Sequence, residues 1–190
     1  MILPATKKFV EHAISQMLDG NAIVYPTDTI YGFGADATNK EAINKINTMK
    51  QRNAPLSIMV NSIDRIHRFG CINNEQLNIL NTYLPGPFTF LLHKKKSPLS
   101  DLISAGSEKI GIRIPNHPFC SQLTTALGPI VTTSVNLHKE NPINDPVVIN
   151  NKFNNVFIYS DGSIERGISS TIVDISESEI NILRQGEGTI

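Results

Sequence analysis

Several short segments of this chain carry residue types that can hold an anion or a polar substrate. The stretch Pro26-Thr27-Asp28-Thr29-Ile30-Tyr31-Gly32-Phe33-Gly34 crowds hydroxyls, a carboxylate and two glycines together. Glycines let the backbone approach a ligand, and hydroxyls with free N–H groups can surround an anion. The same Thr and Asp side chains also suit the local bonds of an ordinary turn. Lys50-Gln51-Arg52 sets a point charge beside a flat fork. That pair fits phosphate or bicarbonate, and it equally fits a solvated helix C-terminus, where cations complement the dipole. Arg113 lies inside the apolar run Ile110-Gly111-Ile112-Arg113-Ile114. A charge buried there needs a partner, either a carboxylate of the chain or one on a ligand. Ser134 and Asn136 end another apolar run, two residues apart, and can face one ligand or cap a turn. Ser170 opens a later run, and Arg184 follows the last one.

Other chemistries lack their motifs. No Gly-Lys-Ser/Thr follows the glycines, so there is no Walker A loop, and Gly32-x-Gly34 lacks the third glycine of a dinucleotide fingerprint. The five histidines show no H-x-x-x-H spacing, and there is no G-x-S-x-G elbow. Two separated cysteines, Cys71 and Cys120, argue against a disulfide framework and are expected to be small buried apolar groups. Seventeen basic and seventeen acidic residues give no net charge, which disfavours a generally basic nucleic-acid binder. Lys94-Lys95-Lys96 is expected to be a solvated strand end rather than an RNA patch.

The elements that must position these residues follow from periodicity. Apolar residues at helical spacing predict helices over 6–19, 39–50 and 73–83, and a further helix is expected over about 118–127. Short apolar runs predict strands at 22–25, 56–60, 88–93, 110–114, 130–133, 156–159, 170–175 and 180–183. Residues 26–36 are expected to form a loop, and His117-Pro118 a helix start. The Asn-rich stretch from Asn141 to Asn155 is the best candidate for a mobile loop. The pattern implies an α/β or α+β class with a mixed sheet and flanking helices, and 190 residues suit one domain over 1–190. The N-terminus is no secretory signal and no run reaches the length of a membrane span, so a cytoplasmic location without membrane contact is expected.

Taken in order, several of these blocks resemble the threonylcarbamoyl-AMP synthase family, also called YrdC or TsaC. They are Pro26-Thr27-Asp28-Thr29-Ile30-Tyr31-Gly32, Lys50-Gln51-Arg52, Pro85-Gly86-Pro87-Phe88-Thr89 and Arg113-Ile114-Pro115-Asn116-His117-Pro118. Ser134-Val135-Asn136, Ser170-Thr171-Ile172-Val173-Asp174 and Leu183-Arg184-Gln185-Gly186 complete the set. The resemblance implies a YrdC-like fold, a twisted, mostly mixed sheet with flanking helices and a concave, locally basic site. It implies synthesis of threonylcarbamoyl-AMP and pyrophosphate from L-threonine, bicarbonate and ATP. The product would serve threonylcarbamoyl modification of the tRNA adenosine next to the anticodon, through a partner transfer complex. By resemblance Lys50 and Arg52 hold bicarbonate and phosphate. Thr29 and Ser170 help hold threonine, and Arg113 pairs with its carboxylate. Arg52, Ser134, Asn136 and Arg184 contact the nucleotide. Mg²⁺ would come with ATP, with no tightly held protein-ligated metal, and weak tRNA binding is a further expectation.

The chain departs from the family pattern in places. Asn53 stands where many relatives have Pro, and the segment from Arg52 to Pro55 is about two residues short. Val135 replaces a usual Ala, and His138-Lys139 a common Ser-Gly. Met59 occupies the place of a threonine-contacting His found in some relatives. Two other readings stand beside the synthase. One is a non-catalytic RNA-binding module using the same concave surface. The other is a carbamoyl-transfer domain of the hydrogenase-maturation type, whose usual zinc motifs are missing here.

Overall fold

The computed structural model describes residues 1–165 and 167–190. Ten strands form one mixed sheet: β1 (Ile2–Pro4), β2 (Ile23–Tyr25), β3 (Gly32–Gly34), β4 (Ser57–Met59), β5 (Phe88–His93), β6 (Lys109–Arg113), β7 (Ile130–Ser134), β8 (Phe157–Ser160), β9 (Thr171–Asp174) and β10 (Asn181–Arg184). Their order across the sheet is β1-β8-β2-β3-β7-β4-β6-β5-β9-β10. The α-helices are α1 (Val10–Leu18), α2 (Lys40–Lys50), α3 (Ile63–Ile66), α4 (Asn74–Tyr83), α5 (Pro118–Leu127) and α6 (Pro146–Lys152). No helix among the described residues is long and apolar enough to cross a membrane.

Strand alternation builds two unequal cores. Val24, Ile58, Ile112 and Val131 point to one face, where Ile43 and Ile46 of α2, Leu80 of α4 and Ile149 of α6 cover them. On the other face Ile23, Tyr25, Met59 and Ile130 pack against Val10, Ala13 and Met17 of α1 and Phe119, Cys120 and Leu123 of α5. Those two helices cover only part of that face. Beyond them the inward alternation continues with polar residues, and there the site lies. Gly34 permits this arrangement, because a Cβ on it would come within 2.3 Å of the Tyr25 ring.

The structure corrects several expectations. Residues 26–36 are not all loop: Gly32–Gly34 forms β3, antiparallel to β2 and β7. Three residues bounded by glycines carry too short a pattern to read as a strand. β1 and α3, of three and four residues, escaped notice for the same reason. The expected first helix begins as a 3₁₀ turn at Lys7–Phe9. Asn141–Asn155 is not an unstructured loop. Asp145 caps α6 by accepting from the Val147 and Val148 N–H groups at 2.8 and 3.1 Å, and Asn144 accepts from Tyr31 N–H at 3.1 Å. Cys120 is buried as expected, but Cys71 is exposed.

The third expected helix, α4, starts with a capping box. Asn73 Oδ1 accepts from Gln76 N–H at 2.8 Å, and Gln76 Oε1 accepts from Asn73 N–H at 2.8 Å. Asn73→Ala should cost about 1 kcal/mol. The midpoint of urea unfolding would measure it, and an unchanged midpoint would show the box to be dispensable.

Candidate active site

The open part of the sheet forms a cleft of about 180 Å³, lined by strand residues and by the Thr27–Gly32 turn. Register explains which side chains meet there. Ser57 lies beside Gly111 and Thr132, Gly32 beside Ser134, and Thr89 beside Ile172. Residues two apart on each strand share a face, so Arg113, Ser134 and Ser57 look into the same space.

Arg113 is 5% exposed and projects from the end of β6. Its NH2 donates to Asp28 Oδ1 at 2.6 Å, and NH1 and NH2 both donate to Thr29 Oγ1 at 3.3 Å. The second Asp28 oxygen accepts from Asn116 N–H at 3.0 Å. The partner left open by the sequence is therefore a carboxylate of the chain itself. Arg113 Nε, also buried, has no protein partner among the described residues. The turn that presents Asp28 and Thr29 is held locally. Thr27 Oγ1 accepts from the N–H groups of Thr29 and Ile30 at 3.1 and 3.2 Å, and it donates to Ile30 O at 2.7 Å.

Arg184 reaches the cleft because β10 is irregular. Ile182 pairs with Val173, but Arg184 rather than Leu183 pairs with Ile172. The extra residue turns Arg184 onto the cleft face, since regular pairing would place it opposite Thr171 on the other side. Its Nε and NH2 donate to Ser170 O at 3.2 and 2.7 Å, and the Ser170 hydroxyl lies 2.9 Å from Thr89 Oγ1. Gly186 allows this crossing, because a Cβ there would fall 2.1 Å from Ser169 O. Burial, and then the nearby Arg113, push the Arg184 guanidinium downward from a value high enough to leave it charged.

Lys50 and Arg52 diverge. Helix α2 ends at Lys50, and Gln51 adopts the left-handed conformation with φ 52°. Arg52 N–H then bonds Asn47 O and Gln51 N–H bonds Thr48 O, both at 3.1 Å, which is a Schellman ending. Arg52 lines the cleft, with NH2 3.4 Å from Pro55 O and a buried Nε that no protein atom among the described residues satisfies. Lys50 turns inward and is 1% exposed. Its ammonium donates to Ser134 O, to Asn136 O at 3.2 Å and to Asn136 Oδ1 at 2.6 Å. Burial, and then Arg52, lower Lys50 to about 8, so it remains mostly protonated at neutral pH and the three oxygens hold its charge.

The expected site residues thus fall into two groups. Arg52, Arg113, Ser134, Ser170 and Arg184 line the cleft, with Thr29 immediately behind Arg113. Lys50 and Asn136 lie outside its lining. Asn136 Oδ1 accepts from Lys50 and from Ser134 Oγ at 2.7 Å, and its Nδ2 donates to Glu140 O at 2.6 Å. Their geometry is that of a staple holding the turn after β7. Ser57 and Thr132 were not anticipated, although alternation along β4 and β7 marks both. Met59 is fully buried in the smaller core and does not reach the cleft. His117 starts α5 as expected, with Nδ1 accepting from Phe119 N–H at 3.2 Å and Nε2 at 3.0 Å from Asp161.

Among the described residues, three guanidiniums from three separate elements therefore converge with hydroxyls on one concave surface. Among the described lining residues there is no carboxylate, and the one behind Arg113 is already engaged. Such a cleft takes a polyanion or several small anions together.

The Sua5/YciO/YrdC family, described as "Telomere recombination", matches residues 15–186, and the chain belongs to it. A Methanocaldococcus jannaschii protein named threonylcarbamoyl-AMP synthase, with a provisional prefix, is 33% identical over 95% of this chain and 86% of its own. The threonylcarbamoyl-AMP synthase of Psychromonas ingrahamii is 32% identical over 72% of this chain and 74% of its own. Among solved structures, P. abyssi Sua5 complexed with L-threonine has a TM-score of 0.91 at 24% identity, covering 98% of this chain. The present chain spans 57% of that Sua5 chain. The expected mixed α/β, YrdC-like fold is the observed one.

Proposed function

We propose that the protein is an L-threonylcarbamoyladenylate synthase, a nucleotidyltransferase that forms threonylcarbamoyl-AMP and pyrophosphate from L-threonine, bicarbonate and ATP. The observation that carries this reading is the convergence of Arg52, Arg113 and Arg184 on one hydroxyl-lined cleft. Relatives bearing the synthase name at 32–33% identity favour an enzyme over an RNA-binding module.

The chemistry needs two steps. The threonine amine, deprotonated, attacks the carbon of bicarbonate, and water leaves to give a carbamate. A carbamate oxygen then attacks the α-phosphorus of ATP, and the bond to pyrophosphate breaks. Both steps bring anions together, so charge neutralisation and positioning supply most of the gain. Arg113, held by Asp28 and Thr29, offers its unpartnered Nε edge to the threonine carboxylate, and Thr29 and Ser170 frame the amino acid. Arg52 holds bicarbonate and then phosphate, and its free Nε suits that task. Ser134 and Arg184 meet the nucleotide. Lys50 and Asn136 act one layer back, fixing the end of β7 where Ser134 stands. Mg²⁺ would come with ATP and offset charge on its phosphates; the described lining would offer it hydroxyl oxygens, such as those of Ser134 and Ser170, and no carboxylate. A partner complex then passes the threonylcarbamoyl group to tRNA adenosine.

The test is pyrophosphate release from ATP with threonine and bicarbonate omitted in turn. Release should require both. Release indifferent to threonine would sink this assignment. Arg52→Ala should lower turnover at least about tenfold, the cost of one charged hydrogen bond. An activity within a fewfold of the parent would remove Arg52 from the clamp.

A further inference from the structure

A second basic cleft lies away from the active site. Its volume is about 230 Å³, and Val60, Phe69, Pro98 and Pro129 supply apolar walls. Arg65, Arg68 and Lys96 also line it. Three cations reach one place because a short antiparallel bridge joins Gly70 to Lys94. Cys71 N–H donates to His93 O at 2.8 Å, and Lys95 N–H donates to Phe69 O at 2.7 Å. Two residues outward along the two chains stand Arg68 and Lys96, and Arg65 is at the last turn of α3.

The neighbouring lysines differ from these three. Lys94 has Glu108 at 3.6 Å, and Lys95 Nζ donates to His67 O at 2.8 Å. Among the described residues, no carboxylate lies within 4.0 Å of the side chains of Arg65, Arg68 or Lys96, and none of the three makes a side-chain hydrogen bond. Asp64, one turn before Arg68, is not paired with it. Gathering like charges costs free energy unless an anion comes between them. The chain as a whole is neutral, so this concentration is local. The walls further select the anion, since apolar surface flanking cations suits a phosphate carried on an apolar or aromatic body.

We infer that Arg65, Arg68 and Lys96 form a binding site for a small phosphomonoester with an apolar body, separate from the active-site cleft. The cleft is concave and small, which favours a compact ligand over a nucleic-acid backbone.

Phenyl phosphate is a suitable probe, with benzyl alcohol as its uncharged counterpart. Amide resonances of Val60, Phe69 and Ser97 should shift saturably with phenyl phosphate and much less with benzyl alcohol. Arg68→Gln and Lys96→Gln should each weaken that binding about two- to fivefold, as loss of one exposed charge contact implies, and together about tenfold. Both side chains are exposed, so the variants should fold, and the same spectra report that. Phenyl phosphate is also an anion for the active-site arginines, but shifts at Gly32 and Ser170 should be untouched by these substitutions. Shifts confined to Gly32 and Ser170 would overturn the proposal. Equal binding of benzyl alcohol, or affinities unchanged in the double variant, would do the same.

Discussion

Lys50→Met should lower stability by about 3 kcal/mol and abolish turnover together. The ammonium is almost fully buried and holds three oxygens of the turn after β7. Methionine fills similar space but takes the ammonium away from the Ser134 and Asn136 carbonyls and leaves Asn136 Oδ1 with Ser134 Oγ as its remaining donor, and buried acceptors stripped of partners cost about 1–3 kcal/mol each before relaxation. Ser134 ends β7 where that turn begins, so its hydroxyl would lose its aim into the cleft. Ser134→Ala provides the comparison, because it should reduce turnover while keeping the unfolding midpoint close to that of the parent. Urea denaturation and pyrophosphate release, measured on both variants, separate the two effects. A Lys50→Met protein as stable as the parent would mean that the staple contributes little. A destabilised but fully active one, assayed well below its melting temperature, would mean that the turn needs no staple to work.

Arg113→Met should cost about 3–5 kcal/mol, the second large effect. It leaves Asp28 largely buried with only Asn116 N–H as partner, and an uncompensated buried carboxylate is the expensive outcome of breaking such a pair. Asp28→Asn combined with Arg113→Met removes the stranded charge and should restore most of that loss. It should not restore threonine-dependent pyrophosphate release, since the proposed carboxylate-binding edge is still gone. Recovery of both stability and turnover in the double variant would show that Arg113 is purely architectural. Arg113→Lys is not a neutral control, because an ammonium cannot serve Asp28, Thr29 and a ligand with the geometry of a fork.

Much of this was legible in the sequence, for identifiable reasons. Long periodic segments such as 39–50 and 73–83 show helices with little ambiguity, and α2 and α4 appear there. Arg113 in an apolar strand advertises a buried charge, and it is one. What sequence spacing does not convey is direction. Lys50 and Arg52 read as neighbours in one clamp, but the left-handed Gln51 between them sends one into the interior and the other to the surface of the cleft. Asn136 likewise reads as a ligand contact, whereas both polar atoms of its side chain are bonded internally. The Asn-rich stretch reads as loop because Asn disfavours helix interiors. There the cap from Asp145 and packing of Ile149 under the sheet outweigh propensity.

The irregularity in β10 has a consequence for how the molecule behaves among its own copies. β10 is the last strand of the sheet, and Ile182 and Leu183 within it and Ile180 just before it are about half exposed. A straight strand of that composition would offer an unbroken ladder to a stranger's backbone. The additional residue that swings Arg184 toward the cleft also interrupts that ladder and bends its path. Aiming a guanidinium and discouraging fibrous self-assembly are thus tied to the same residue, Leu183, and neither can be altered without disturbing the other.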